Sequence, residues 1–263
     1  MTSMAGVAGI AQTLAQTLAQ AIALSLVGAT SVLSDASAVM AASAMPEAPA
    51  VTEACPLSLG SSRVPPPGQR PAPAAPAPDP AGLDYRHRLL PTPFGWPRRD
   101  HWCVWVEPAT SEGPAARWDQ AWLQAVDGAL ARWAAVLPIS RVASPDQAQV
   151  LVFRRRPPIR NGRASHGRAT LELALVRRAD PLSATGDAQR LEPRVTVMVS
   201  PGQRPEAIEA TALHELGHAF GLWGHSDDPA DAMAAVPGAR PVRQLSPRDR
   251  ATVLWLQRQP ALR

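Results

Sequence analysis

One short segment, His214 to Ser226 with the sequence HELGHAFGLWGHS, constrains the fold more than any other part of this chain. His214 and His218 stand four residues apart, so on a helix they lie about 40° apart and project from the same face. Glu215 follows the first histidine, where its carboxylate lies near a bound ion without ligating it. Two imidazoles and a carboxylate in this H-E-x-x-H spacing predict a helix that carries a zinc site.

The third ligand has three candidates just beyond the predicted helix. His225 is favoured because neutral imidazole suits Zn²⁺, while Asp227 and Asp228 remain alternatives. Three protein ligands leave zinc an open fourth position, where a bound water would have a pKa of roughly 7. In that arrangement Glu215 is the general base and then the general acid, and His214, His218 and His225 are the predicted metal ligands.

These residues resemble the matrixin-like metzincin metallopeptidases, whose pattern is H-E-x-x-H-x-x-G-x-x-H followed by a methionine turn. The third histidine departs from the pattern, because Gly224 holds its expected position and His225 comes one residue late. The positions that match are His214, Glu215, His218 and the helix-end glycine, Gly221.

Two later segments extend the resemblance. Met233 follows His225 by eight residues and resembles the methionine of the turn, although Ala234-Ala235 replaces the usual Tyr-Pro. Leu245 to Asp249 is similar to the start of the family's last helix. The phrase GLWGHS followed by DDPxDxM is similar to small bacterial, especially cyanobacterial, members, and the resemblance covers about residues 96–263.

The resemblance implies an α+β, zincin-like domain with a twisted mixed sheet, a backing helix, an active-site helix and a C-terminal helix. It also implies a monomeric zinc endopeptidase that hydrolyses peptide bonds of an extended protein or peptide substrate. Two other functions stay open: a zinc amidase acting on cell-wall peptides, and a noncatalytic zinc-binding adhesion module.

Periodicity predicts the elements of this domain. Apolar residues recur every three or four positions between Pro114 and Pro138, which predicts a long amphipathic helix. The residues on its apolar stripe are Trp118, Trp122, Val126, Leu130, Trp133 and Leu137. β-rich segments predict strands at 101–107, 149–153, 169–176 and 195–200, and further helices are predicted at 205–222 and from Pro247 to about Gln257.

The residues before this domain differ in composition. Residues 1–45 form an Ala-rich apolar leader, in which Ala21 to Leu33 has the length of a signal-peptide core but no preceding basic residue. Residues 46–95 are rich in proline and predict a linker. We expect a secreted, periplasmic or membrane-tethered protein with a peptidase domain at 96–263.

Charge and cysteine content restrict the remaining options. The 26 basic residues are all arginine, and 22 acidic residues offset them, so nucleic-acid binding is not expected. Of the two cysteines, Cys103 lies in a predicted strand. Cys55 lies upstream, where it would either bridge to Cys103 in an exported protein or cap the zinc as a prosegment thiolate.

Overall fold

A six-stranded mixed sheet forms the centre of the computed structural model, which describes residues 55–64, 74–110, 112–160, 162, 164–179, 184–236 and 238–263. The strand order is β1-β5-β6-β4-β2-β3. Strands β2, β3, β4 and β6 run parallel, whereas β5 is antiparallel to both β6 and β1. The strands are β1 (Ser58–Arg63), β2 (Trp102–Val106), β3 (Ile139–Arg141), β4 (Val150–Phe153), β5 (Gly167–Ala179) and β6 (Asp187–Val199).

Three α-helices accompany this sheet in the described part of the chain: α1 (Ala116–Ala134), α2 (Pro205–Ala219) and α3 (Pro247–Gln257). Three-residue 3₁₀ helices lie at Arg86–Arg88, Gly113–Ala115 and Pro145–Gln147. Helix α3 begins as its sequence predicts, because Ser246 and Asp249 form a reciprocal capping box around Pro247. A mixed sheet with separate helices is an α+β arrangement, as predicted.

Two buried tryptophans of α1 tie the helices to the sheet. The indole N–H of Trp122 donates to the carbonyl oxygen of Val199 on β6 (3.2 Å), and that of Trp133 donates to Leu213 on α2 (2.9 Å). Both rings are fully buried in the main core, which includes alternate residues of β6 such as Val195 and Val197. The core therefore fixes α2 against β6, which positions the predicted metal-binding helix.

The first turn of α1 differs from its predicted pattern. Trp118 is 65% exposed and contacts Arg117, whereas Asp119, expected on the polar face, is buried. Asp119 is neutralised by Arg154 (3.1 Å) and accepts the backbone N–H of Thr110 (3.0 Å). The ion pair makes this burial tolerable, so charge pairing decides which side of the first turn faces inward.

Part of the range predicted as a linker is ordered structure. Strand β1 pairs with Ala174–Arg178 of β5, and Tyr85 and Leu89 are fully buried in the main core. These contacts place the domain boundary upstream of residue 96. Sequence patterning missed β1 because its residues, SLGSSR, show no alternation of apolar and polar side chains.

A disulfide joins the start of this segment to the sheet. Cys55 and Cys103 are bonded, as one of the two predicted options has it, and this linkage excludes a free Cys55 thiolate as a zinc cap. Next to it, Arg178 forms a bidentate ion pair with buried Glu192 (3.0 and 2.9 Å) and donates to the carbonyl oxygen of Pro56. Both contacts hold the residues before β1 onto β2 and β5.

The predicted leader, residues 1–45, lies outside the described residues. Within the part of the chain that the structure describes, no helix is both long and apolar enough to cross a membrane.

Candidate metal centre

Helix α2 carries the three residues of the H-E-x-x-H segment. It begins at Pro205, a favoured first helical residue, and ends at Ala219, three residues before the predicted end. Gly221 explains the earlier end, because its φ of +106° is a left-handed conformation that glycine adopts easily. A Cβ at Gly221 would also lie 2.9 Å from the carbonyl oxygen of Pro97. Both the backbone conformation and this close contact therefore favour glycine at position 221.

The three predicted histidine ligands converge on one point. His214, His218 and His225 each offer a ring nitrogen, and these atoms lie within 4.8 Å of one another. Their ring centroids are 4.8 to 5.3 Å apart. This donor set of three imidazoles fits one zinc ion and leaves the remaining side of the ion to water or substrate.

Hydrogen bonds select which nitrogens face this point. The Nδ1–H of His214 donates to the carbonyl oxygen of Ala232 (2.8 Å), and that of His218 donates to Leu222 (2.7 Å). A carbonyl oxygen can only accept, so Nδ1 carries the proton and the Nε2 lone pair is left for a metal. Two of the three ligands are thus oriented by the backbone that follows α2.

All three imidazoles are favoured in their neutral form. Burial, together with the charge of neighbouring His214, lowers the pKa of His218 to about 3. Desolvation also lowers the pKa values of His214 and His225. Neutral imidazole is the form that binds metal, so ligand deprotonation does not oppose binding at neutral pH.

The late position of His225 depends on a close backbone contact. A Cβ at Gly224 would lie 2.1 Å from the carbonyl oxygen of Arg88, so only glycine fits there. The φ of Gly224 is outside the left-handed region, which in this turn is occupied by Gly221. The neighbouring amide N–H of Leu90 donates to the carbonyl oxygen of Trp223 (2.9 Å) and holds the same loop.

The two aspartates considered as alternative ligands have other partners. Asp227 forms ion pairs with Arg88 (3.1 Å) and Arg248 (3.0 Å). Asp228 accepts the backbone N–H of Ala230 (2.9 Å). Among the described residues the converging group contains His225 and neither aspartate.

Met233 lies beneath the metal-binding helix. It is fully buried, and its sulfur occupies the space that a Cβ at Gly217 of α2 would need, at 2.2 Å. Its carbonyl oxygen accepts the N–H of Ser226 (2.8 Å), which links it to the loop that carries His225. The methionine thus packs against Gly217 of α2 and is bonded to the loop that carries His225, and its role as the methionine of a metal-site turn stays a prediction.

A buried polar cluster that sequence analysis missed holds Met233 in place. The carboxylate of Asp249 accepts the backbone N–H groups of Ala232 (2.8 Å) and Met233 (3.4 Å) and the hydroxyl of Tyr85 (2.8 Å). The spacing of 164 residues between Tyr85 and Asp249 hides this contact from local patterns. The sequence marks Asp249 only as part of the capping box at the start of α3, and not as a partner of Tyr85.

Glu215 lies beside the first residue of β5. A Cβ at Gly167 would meet its Cγ and Oε1 at 2.7 Å, so the carboxylate packs directly against the strand backbone. Burial raises the pKa of Glu215 to about 7, against the opposing effects of a hydrogen bond from the Ala169 backbone and the charge of Arg168. A carboxyl group with a pKa near neutrality is suited to accept and return a proton.

A cavity of about 590 Å³ opens next to the histidines. It is lined by His214 and Glu215, by the first half of α2, by the loop before β5 with His166, and by the segment that follows Met233. Its volume is within the range of small-ligand sites, and the predicted general base, Glu215, is part of its wall.

A second cluster with ligand-type side chains lies elsewhere. Cys55, His101 and Cys103 are close together, but both sulfurs are used in the disulfide and His101 bonds to the hydroxyl of Ser140 (3.0 Å). This cluster therefore lacks the free thiolates that a metal site would need.

The chain matches no protein-family model and no curated protein. The functional argument therefore rests on the geometry of the site.

Proposed function

We propose that this protein is a zinc-dependent endopeptidase. The observation that carries the proposal is the convergence of three neutral imidazoles, one of which, His214, lines an open cavity together with Glu215. His214, His218 and His225 would hold the zinc, which when bound polarises a carbonyl group and lowers the pKa of a coordinated water. The fit of the donor set and the neutral state of each ring support this metal.

Glu215 supplies the proton transfers. With a pKa near neutrality it accepts a proton from the attacking water and returns it to the nitrogen of the departing amine. The Gly167 contact positions the carboxylate from the β5 side. A noncatalytic zinc module has no use for a half-buried carboxylate that forms no ion pair with a described residue.

The edge of β5 supports an extended peptide as substrate. Strand β1 covers Ala174–Arg178, but no described strand pairs with the outer edge from Gly167 to Leu173. A peptide can add to such an edge through backbone hydrogen bonds. Because this stretch begins at Gly167, the added peptide would run past Glu215.

Within this function, we place the domain in the matrixin-like group of the metzincins, with a zincin-like fold. The support is the HELGHAFGLWGHS segment, the buried Met233 beneath α2, and one antiparallel strand, β5, second from the edge of an otherwise parallel sheet. The Gly224 contact with Arg88 accommodates the displaced third histidine. We also propose that the protein is exported, since a disulfide is compatible with an oxidising compartment.

Hydrolysis of a quenched peptide library by the zinc-loaded full chain tests the function. We expect cleavage by the unmodified protein and loss of about 1,000-fold or more in kcat/KM for Glu215→Gln, with one zinc per chain retained. Glu206→Gln is the matched control, because Glu206 is an exposed carboxylate on the same helix and away from the cavity. If neither protein cleaves any peptide while zinc stays bound, the endopeptidase proposal is wrong, and a narrow amidase or a binding module remains.

A further inference from the structure

The cavity beside Glu215 has small apolar walls. It lies between the first half of α2, the loop before β5 and the segment from Ala234 to Val242. Alanine is the commonest lining residue, at seven of 21 positions, and these small side chains leave a volume of about 590 Å³. The alanines concerned include Ala207, Ala210, Ala232, Ala234, Ala235 and Ala239.

Two arginines at this cavity lack a carboxylate partner. Arg204 and Arg240 both line it and are exposed, and no described carboxylate forms an ion pair with either. Arg243, which lies near Arg240 in the sequence, differs from them because it forms an ion pair with Glu209 (3.3 Å). The positive charge of Arg204 and Arg240 therefore remains available to a ligand.

The acidic groups at the cavity do not cancel this charge. Asp231 is only 2% exposed, and its carboxylate is already occupied by the hydroxyl of Ser226 and by Arg248 (3.0 Å). The other lining carboxylate is Glu215, which forms no ion pair with either arginine. A ligand in the cavity thus meets small apolar side chains and two arginines, Arg204 and Arg240.

The position of Glu215 indicates which part of a substrate enters. In the proposed reaction Glu215 returns a proton to the departing amine, so the residue that carries this nitrogen must lie next to it. The cavity adjoins Glu215, and it is therefore the pocket available to the side chain of that residue.

Resting on the proposed function, we propose that this cavity selects an acidic side chain, glutamate above all, in the residue after the cleaved bond. The methylene groups of glutamate pack on the alanine walls, and its carboxylate reaches the guanidinium groups of Arg204 and Arg240. Glutamine has the same shape without the charge, so it is the reference against which this selection is measured.

The first test is cleavage of matched peptides that differ only in the residue after the bond. We expect kcat/KM to be about fivefold higher for glutamate than for glutamine, which is the size of a partly exposed ion pair. Arg240→Gln and Arg204→Gln each reduce this ratio towards one, and added salt reduces it in the unmodified protein. Arg243→Gln keeps the ratio, because Arg243 does not line the cavity.

A binding measurement separates this proposal from the peptidase proposal. The zinc-loaded Glu215→Gln protein is titrated with fluorescent Ala/Gly peptides that have blocked ends and one central glutamate or glutamine. Such a peptide can shift along the edge of β5 until its single long side chain enters the cavity. Tighter binding of the glutamate peptide that disappears on adding Arg240→Gln supports the pocket, even if the unmodified protein cleaves nothing.

Two results would overturn the acidic selection. One is equal Kd values for the glutamate and glutamine peptides, or no binding of either. The other is cleavage before leucine in preference to glutamate, unaffected by Arg240→Gln. Either result leaves the peptidase proposal to be decided by the Glu215→Gln cleavage assay.

Discussion

Replacing Gly167 by alanine should displace the proposed general base while leaving the metal site intact. Gly167 begins β5, and its φ is outside the left-handed region, so alanine is compatible with the backbone. Its Cβ, however, would lie 2.5 Å from Cγ2 of Thr211 and 2.7 Å from Cγ and Oε1 of Glu215. The substitution therefore acts through side-chain contacts and not through backbone strain.

The size of the displacement follows from these distances. Carbon atoms in contact are normally separated by about 3.5 Å or more, so roughly 1 Å of overlap must be relieved. Thr211 is β-branched and lies on α2, so it yields little, and the longer Glu215 side chain moves instead. A misplacement of about 1 Å costs on the order of 100-fold in rate, equivalent to roughly 2.7 kcal/mol of transition-state stabilisation.

The assay combines kcat/KM on a quenched peptide with zinc content. For Gly167→Ala we expect kcat/KM about 100-fold lower with one zinc per chain retained. Gly202→Ala is the control, because a Cβ there meets only the Ser200 hydroxyl, at 3.9 Å, and should change kcat/KM by less than about twofold. Unchanged kcat/KM in Gly167→Ala would refute the argument that this contact positions the carboxylate.

Three further substitutions test the packing and the charge pairs. Gly217→Ala should destabilise the fold by about 2 kcal/mol, because the added Cβ would lie 2.2 Å from the sulfur of Met233 and this overpacking outweighs the higher helix propensity of alanine. Gly128→Ala is the control on a helix, since its nearest contact is 3.1 Å away and it should not destabilise the fold. Thermal melts compare the two variants. Substituting both Cys55 and Cys103 with alanine should lower the free energy of unfolding by up to about 4 kcal/mol, because the disulfide closes a loop with a sequence separation of 48. Urea unfolding measures this loss, and an unchanged midpoint would contradict it. Burial alone would raise the pKa of Glu192, but the hydrogen bonds and charges of Arg178 and Arg99 outweigh burial and lower this pKa in the folded protein. The stabilisation that the Glu192 carboxylate provides is therefore present above its pKa in the unfolded chain. It is lost as the pH falls through its pKa in the folded protein. Glu192→Gln should therefore cost about 3 kcal/mol at neutral pH and less in acid, and a cost independent of pH would show that the charge contributes nothing.

Local sequence patterns were sufficient to predict helix α2 and the shared face of its histidines, and insufficient to predict the elements that pack around them. The spacing of His214 and His218 fixes their common face on any helix, so their convergence follows from sequence alone. The prediction of the third ligand instead involves Arg88, which is 139 residues away in sequence from Asp227. The Arg88 side chain pairs with Asp227, and the Arg88 carbonyl oxygen lies close to the backbone of Gly224.

The support of the site is equally non-local. Strand β1 consists of residues without an apolar pattern, and only its pairing with β5 defines it as a strand. The contact of Gly167 with Glu215 joins a strand to a helix 48 residues later, and no local motif signals it. Such contacts are set by tertiary packing, which single-sequence periodicity does not contain.

Zinc affinity in three variants tests most directly whether three histidines hold one catalytic zinc. We expect one zinc per unmodified chain, weaker binding by about 100-fold or more in His225→Ala, and nearly unchanged binding in Asp227→Asn and Asp228→Asn. Unmodified affinity in His225→Ala, or its loss in either aspartate variant, would contradict the proposed ligand set.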